Sequence, residues 1–147
     1  MKKIILSIVF ISVISIQAGH HEKGDDAMSV VKKAYATFAS GDTKAWAALH
    51  ANDLTFTVFG DIPTTGKHVG PNAVIKNVFE PIAKYWPNFS LQHKAMYSDG
   101  DMVFVHSDMT ADGLDTETLH MFRVKDGIIQ SFTAFDDTGS MATAVVK

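Results

Sequence analysis

The sequence predicts an α+β domain in which helices cover one face of a strongly curved, mixed or antiparallel sheet. Apolar residues recur at helical spacing in the first half of the chain. The second half holds long runs rich in β-branched and aromatic residues, separated by Asp-Gly turns. Helices followed by antiparallel strands are the order of an α+β domain, and a strongly bent sheet would enclose a pocket.

Three helices are predicted in the first half of the chain. Gly41 ends the first helix in a left-handed conformation, and Asp42 caps the second. Pro71 suits the first position of the third helix, and Pro87 stops it. The predicted helices cover residues 30–39, 43–50 and 71–86.

One strand is predicted before the third helix, and three or four long strands are predicted after it. The turns between the later strands, SDGD, ADGLD and KDG, have the composition of hairpin turns. The segment GDIPTTGKHVGPNAV is predicted to be a loop from its Gly, Pro and Thr content. The predicted strands cover residues 54–59, 89–98, 102–110, 114–124 and 128–137.

The first residues are typical of a secretory signal peptide. Lys2 and Lys3 precede an apolar run that ends at Ile16, well short of the ~20 residues that cross a bilayer, and the small Ala18 suits cleavage. We therefore expect a periplasmic or secreted protein with no membrane segment in the mature form. The predicted organisation is a signal peptide at 1–18, a polar tail at 19–27, one domain at 28–140 and a C-terminal tail at 141–147.

Composition excludes several classes of protein. The 147 residues include no Cys, so there is neither a disulfide nor a lipid-modified Cys at the cleavage site. The predicted signal peptide carries two Lys and no acid, so its removal changes the formal net charge from −3 to −5. A negative charge of this size disfavours nucleic acid as a partner.

Several segments resemble the NTF2-like superfamily, and most closely its SnoaL-like and ketosteroid-isomerase-like branches. The matching segments are VVKKAYATFASGDTKAWAALHANDLTFTVFG, TTGKHVGPNAV, SDGDMVFV and HMFRVKDGIIQSF, which together cover nearly all of residues 29–137. The resemblance implies a cone, in which a curved sheet closed by three helices surrounds a small-molecule pocket. Dimers are common in this superfamily, so the resemblance leaves a homodimer open.

The inner face of the strand at 102–110 is not determined by periodicity, because both of its faces are partly apolar. The resemblance to ketosteroid isomerases implies that Phe104, His106 and Asp108 line the cone. On the next two strands it implies the following inward residues: Thr118, His120, Phe122, Phe132, Ala134 and Asp136.

This arrangement would bring His106, Asp108, His120 and Asp136 to one cavity, where an imidazole and a carboxylate could transfer protons. SnoaL-like cyclases have a His on the penultimate strand and an Asp late in the last strand. These map to His120 and to Asp136 as the candidate base, with Asp137 as the alternative. The dehydratase branch would instead pair His106 with His120 as acid and base.

The sequence also departs from the isomerase pattern. The isomerase tyrosine of the first helix falls on Ala34, its base on Val58 and its sheet aspartic acid on His120, so steroid isomerisation by that mechanism is not expected. Tyr35 is one residue away, a rotation of about 100° on a helix, and is expected to be a core or rim aromatic. The residues predicted to contact a ligand are Tyr35, Trp46, Phe104, Thr118, Phe122 and Phe132.

Other interpretations of the same residues remain. Each His could bind a carboxylate for structure alone, and His50 is expected to be a satisfied core histidine. Two His and two Asp also suit zinc or iron, but no pair has a known metal spacing, so no metal or cofactor is predicted. Cleavage after Ala18 would leave Gly19-His20-His21, a ligand set for Cu(II) or Ni(II), although a solvated tail is the simpler interpretation.

Two functions of different classes are compatible with the sequence. The first is a cofactor-free acid/base enzyme of the lyase, isomerase or cyclase type, acting on a small apolar carbonyl or hydroxylated compound. The second is a non-catalytic periplasmic protein that binds a small molecule in the same pocket. Close approach of the inward His and Asp residues around an open cavity would favour the enzyme.

Overall fold

The structure, a computed structural model, describes the backbone of residues 18–147 and the side chains of residues 26–147. The predicted signal peptide lies outside the described residues, apart from Ala18. Helix α1 (Ala18–Ala39) runs through the segment predicted to be a polar tail. In the described part of the chain, no helix combines the length and the apolar character that a membrane crossing requires.

The helix boundaries follow the local signals in the sequence. Gly41 adopts a φ of 72°, and the Asp42 carboxylate accepts the Ala45 N–H at 2.9 Å, which caps helix α2 (Thr43–Ala48). The third predicted helix is present in three consecutive pieces: α3 (Pro71–Val74), a π-helical turn (Ile75–Phe79) and α4 (Glu80–Tyr85). A short helix α5 (Thr138–Thr143) occupies part of the predicted C-terminal tail.

Six strands form one mixed, curved and unclosed sheet in the order β2-β1-β6-β5-β4-β3. Strands β1 and β6 are parallel, and the other neighbours are antiparallel. The predicted α+β cone is confirmed, but the predicted loop before the third helix contains the short strand β2. The strand bounds are β1 His50–Val58, β2 Gly66–Val69, β3 Ser90–Asp99, β4 Met102–Ala111, β5 Leu114–Lys125 and β6 Ile128–Asp136.

The helices cover one face of the sheet, which is the inner face. Helix α1 lies against β3, β4, β5 and β6, and α2 and α3 lie against β1. Alternate residues of β5 and β6 are buried beneath α1, as the sequence analysis predicts. The inner residues of these strands include Thr118, His120, Phe122, Phe132 and Ala134.

The predicted inner face of β4 is wrong. Val103, Val105, Ser107 and Met109 are the buried residues of this strand, so Phe104, His106 and Asp108 point outward. Antiparallel pairing explains the result, because Val105 lies opposite His120, and directly opposed residues share a face of the sheet.

Replacement of Gly70 tests the contact that joins β1 to the start of α3. Gly70 has a φ of 81° and a ψ of 154°, and a Cβ atom there would lie 2.8 Å from the Asn52 carbonyl oxygen. We expect Gly70→Ala to lower the free energy of unfolding by about 3 kcal/mol, because the alanine meets both backbone strain and this clash.

Gly41→Ala is the matched control, since its φ is also positive but an added Cβ would meet nothing within 4 Å. It should cost about 1 kcal/mol. Urea unfolding followed by circular dichroism measures both variants. An equal loss in the two would contradict the assignment of a steric contact at Gly70.

Candidate active site

A cavity lies between the inner face of the sheet and the helices. Its volume is about 80 Å³, several times the space that one water molecule needs. The lining is mostly apolar, with polar groups supplied by Tyr35, His50, Thr64, His120 and Asp136. The aromatic part of the lining includes Phe38, Trp46, Phe56, Phe79, Phe122 and Phe132.

Asp136 is the carboxylate of the described residues that lines this cavity. Its side chain is 9 % exposed at the end of β6. Thr118 lies directly opposite on β5, and its hydroxyl donates to Asp136 Oδ1 at 2.5 Å. The hydrogen bond lowers the cost of placing a carboxylate in apolar surroundings.

His120 lies two residues beyond Thr118, on the same face of β5. Its Nε2 atom is 3.5 Å from Asp136 Oδ1. This distance is long for a hydrogen bond, but the ring lies within the electrostatic reach of the carboxylate. Phe132 packs against the imidazole, with ring centroids 4.8 Å apart. The His and the Asp that the sequence analysis placed together are therefore neighbours in the cavity.

Tyr35 makes a contact that the sequence analysis did not foresee. Its hydroxyl oxygen lies 2.7 Å from Nδ1 of His120. Burial, and secondly the negative charge of Asp136, raise the pKa of Tyr35 far above its ordinary value, so the phenol keeps its proton. Tyr35 packs against the core, as expected, and α1 also directs its hydroxyl into the cavity and onto the imidazole.

These contacts determine which nitrogen of His120 carries the proton when the ring is neutral. A carboxylate only accepts hydrogen bonds, so Nε2, which faces Asp136, is the protonated nitrogen. Nδ1 is then the acceptor for the Tyr35 hydroxyl. The three side chains form a line from Tyr35 through His120 to Asp136, with an N–H group directed toward the carboxylate.

The second carboxylate oxygen of Asp136 is available to a ligand. Oδ1 accepts from Thr118, whereas Oδ2 has no hydrogen-bond partner among the described residues. Among the described residues, every fully buried side-chain nitrogen or oxygen atom has a hydrogen-bond partner. Oδ2 is therefore in contact with open space, and Asp136 lines the cavity.

Four of the residues predicted to contact a ligand line the cavity: Tyr35, Trp46, Phe122 and Phe132. Thr118 is not part of the cavity lining, but its hydroxyl donates a hydrogen bond to Asp136. Phe104 lies on the outer face of β4 and does not take part. The outer position of Phe104 follows from the alternation of β4.

His106 and Asp108 are also outside the cavity. His106 Nε2 lies 2.7 Å from Glu117 Oε2, and Lys94 Nζ contacts both Asp108 and Glu117 on the outer face of the sheet. The prediction that His106 and Asp108 join His120 in one site is wrong. The alternative pairing of His106 with His120 as acid and base fails for the same reason.

Asp137 has a structural position and does not face the cavity. Its carboxylate accepts the Ser140 N–H at 3.1 Å and so caps helix α5, and the Thr116 hydroxyl donates to it at 3.0 Å. The Ser140 hydroxyl also donates to this carboxylate. This hydrogen bond and, to a smaller extent, the other two lower the pKa of Asp137. Of the two adjacent carboxylates, only Asp136 reaches the cavity.

His93 is a further neighbour of this site that sequence reasoning did not place. Its ring lies 4.2 Å from the Tyr35 ring, between centroids, and its Nδ1 shares a hydrogen bond of 2.9 Å with the Ser107 hydroxyl. The pKa of His93 is lowered by burial and, to a smaller extent, by His120. His93 lies opposite Ser107, on the same face of β3 as Leu91, whereas the bulge at Lys94 turns Ala95 and Tyr97 to the other face.

No group of three or more His, Asp or Glu side chains in the described part of the chain is placed to hold a metal ion. The possible Cu(II) or Ni(II) ligands at 19–21 lie where side chains are not described.

Comparisons with known proteins agree with this architecture. The most similar structures include an NTF2-like protein from Burkholderia thailandensis E264, which is 26 % identical over 80 % of this chain and 95 % of its own, with a TM-score of 0.70. A proposed SnoaL-like polyketide cyclase from Jannaschia sp. CCS1 is 15 % identical over 84 % and 93 % of the two chains, with a TM-score of 0.73.

A proposed ketosteroid isomerase from Kribbella flavida DSM 17836 is 18 % identical over 76 % and 78 % of the two chains, with a TM-score of 0.61. At these identities the last two structures are evidence of a shared fold. No curated protein matches the chain. The model of the SnoaL-like domain family matches residues 31–132, which is most of the sequence. The chain therefore belongs to the SnoaL-like domain family.

Proposed function

We propose that this protein is a cofactor-free acid/base enzyme of the lyase, isomerase or cyclase type that acts on a small apolar carbonyl or hydroxylated compound. The observation that carries the proposal is the line of Tyr35, His120 and Asp136 within a largely aromatic cavity. A buried carboxylate with one open oxygen is costly for stability alone and is suited to removing a proton. The resemblance to proposed cyclases and isomerases supports the same reaction class.

Asp136 is the base in this mechanism. Its open oxygen, Oδ2, removes a proton from a carbon next to a carbonyl group, and the C–H electrons move toward the carbonyl oxygen to form an enolate. The proton then returns from the Asp136 carboxylic acid, either to another carbon in an isomerisation or to a departing hydroxyl in an elimination. Atoms and charge balance without a cofactor.

His120 stabilises the oxygen that becomes negative. The Nε2–H group is 3.5 Å from Asp136 Oδ1, so it is not held in a short bond and can donate to a ligand oxygen in the same region. Tyr35 fixes this tautomer by donating to Nδ1, and Thr118 orients Asp136 through Oδ1. Tyr35 and Thr118 are therefore positioning residues, whereas His120 and Asp136 contact the substrate.

We also propose that residues 1–18 are a signal peptide and that the protein is exported. Because the sequence contains no Cys, folding in the periplasm would need no disulfide formation. The two parts of the proposal are independent, because the chemistry depends on residues far along the chain from the signal peptide.

Replacement of Asp136 tests the role of the base. In D₂O, we expect the wild-type protein to exchange the acidic C–H protons of those small ketones that it binds, which ¹H NMR detects as a loss of signal. Asp136→Asn should slow the exchange by about 100-fold or more, since the amide cannot accept the proton. Asp108→Asn, on the outer face, is the control and should exchange at the wild-type rate.

Equal exchange by Asp136→Asn and the wild type would contradict the proposed base. Ketones that bind in the cavity of the wild-type protein without any exchange would favour the second function, a non-catalytic small-molecule binding protein. The largely apolar lining would serve that function as well.

Replacement of Tyr35 tests the positioning of His120 without any substrate. In Tyr35→Phe, Nδ1 of His120 loses its hydrogen-bond donor, so we expect the ring to change from one tautomer to a mixture. ¹⁵N NMR of the imidazole nitrogens reports this change directly. Tyr97→Phe removes a hydroxyl from a side chain that is 64 % exposed and should leave the tautomer unaltered. A single Nε2–H tautomer in Tyr35→Phe would show that the phenol does not set the ring.

Expression of the full chain in a Gram-negative bacterium tests export. We expect the mature protein in the periplasmic fraction, with an N-terminus at Gly19 or within two residues of it, because Ala18 is the small residue before the predicted cut. N-terminal sequencing and intact mass measure the cleavage. Replacing Ile8 and Val9 by Asp should leave the precursor uncut. An uncleaved wild-type chain in the cytoplasm would refute the export prediction.

A further inference from the structure

His50 presents a second polar group to the cavity, away from the proposed catalytic residues. It is the first residue of β1, and its side chain is buried, with 6 % of the residue exposed. The imidazole stacks on the Trp46 indole, with centroids 3.8 Å apart and planes at 28°. Both rings line the cavity. His50 is therefore a buried histidine, as expected from the sequence, but it also faces the space where a ligand would lie.

The tautomer of His50 is fixed by the helix that precedes it. Nδ1 lies 2.7 Å from the Trp46 carbonyl oxygen, which can only accept a hydrogen bond. Nδ1 must therefore carry a proton, and in the neutral ring Nε2 is left with a lone pair. Burial lowers the pKa of His50 to about 4, although the bond to the Trp46 carbonyl opposes this shift. At neutral pH the ring is thus uncharged, and Nε2 is an acceptor.

This acceptor has no protein partner. Nε2 makes no hydrogen bond to any described residue. Every fully buried side-chain nitrogen or oxygen atom in the described part of the chain does have a partner. Nε2 therefore retains contact with open space, and the open space lined by the ring is the cavity. A polar atom in this position is satisfied only by water or by a group of the ligand.

The position of His50 along the sheet separates it from the catalytic end. His50 lies beside Ile129 in the pairing of β1 with β6, whereas His120 lies opposite Ala134. Five residues of β6 separate these levels, which is at most about 17 Å along a strand. The rings of Phe56 and Phe132, stacked at 4.0 Å between centroids, lie at an intermediate level of the same strands. A ligand that spans the cavity would need an apolar middle section.

We propose that His50 binds a neutral hydroxyl group of the substrate, at the end remote from the carbonyl group that Asp136 and His120 act on. The substrate class is therefore an apolar ketone that carries a phenol or an alcohol at its far end. A hydroxyl supplies the donor that Nε2 requires, whereas a carboxylate, a phosphate or a second carbonyl supplies none. An ammonium group would bring a positive charge to an apolar wall without a counter-ion.

The inference deepens the proposed function, because it specifies the substrate, but it concerns binding and not turnover. Two probes separate the hydroxyl from the rest of the ligand: para-hydroxybenzylacetone and benzylacetone, which differ by one phenolic hydroxyl. We expect the wild-type protein to bind the hydroxylated ketone about tenfold more tightly in calorimetric titrations, since the deoxy compound leaves Nε2 unpaired.

His50→Phe should abolish this preference while benzylacetone binds as before, which also shows that the variant is folded. His50→Gln, which retains an acceptor, should keep part of the preference. Asp136→Asn should keep all of it, because the carboxylate is at the other end of the cavity. If catalysis is not observed but the wild-type protein still prefers the hydroxylated ketone, the proposed reaction is contradicted and the His50 site is supported.

Three results would overturn the proposal. The wild-type protein could bind the two ketones equally, it could bind neither at millimolar concentration, or His50→Phe could retain the full preference. A preference for a carboxylate in place of the hydroxyl, measured with para-carboxybenzylacetone, would also contradict the assigned ligand group, because a carboxylate has no donor for Nε2. If His50→Phe does not fold, His50→Gln and the two ketones still decide the outcome.

Discussion

The burial of the Asp136 carboxylate is the constraint on which the site depends. A carboxylate that is 9 % exposed among aromatic side chains needs hydrogen-bond donors or a cation nearby. The chain provides the Thr118 hydroxyl and the edge of His120, and it holds His120 in turn through Tyr35. The buried carboxylate is therefore stabilised only when α1, β5 and β6 pack together in the correct register.

The sheet could be predicted from the sequence because its signals are local. The Asp-Gly turns define the hairpins, and on β5 the charged Glu117 and Arg123 mark the solvent face, so that Thr118 and His120 must point inward. The position of Asp136 followed from its pairing with β5. The choice between Asp136 and Asp137 was then decided by alternation and by the cap that Asp137 makes on α5.

The errors arose where the local signal was ambiguous. Both faces of β4 carry apolar residues, so the prediction chose the wrong face and placed His106 inside, whereas Ser107 is the inner residue and His106 lies outside. At Lys94 a bulge reverses the alternation of β3, and no pattern in the sequence marks it. The role of Tyr35 depends on how α1 lies across the sheet, which is a property of tertiary packing that helical spacing does not contain.

The parallel pairing of β1 with β6 has a consequence for folding kinetics. It joins His50 to Ile129 and Val58 to Ala134, whereas the other neighbouring strands are joined by hairpins or by the short connection to β2. Closing so long a stretch of chain carries a large entropic cost, and contacts of this kind slow folding. We therefore expect the wall that contains His50 and Phe56 to form after the local hairpins, so that a fully formed cavity is a late event in folding.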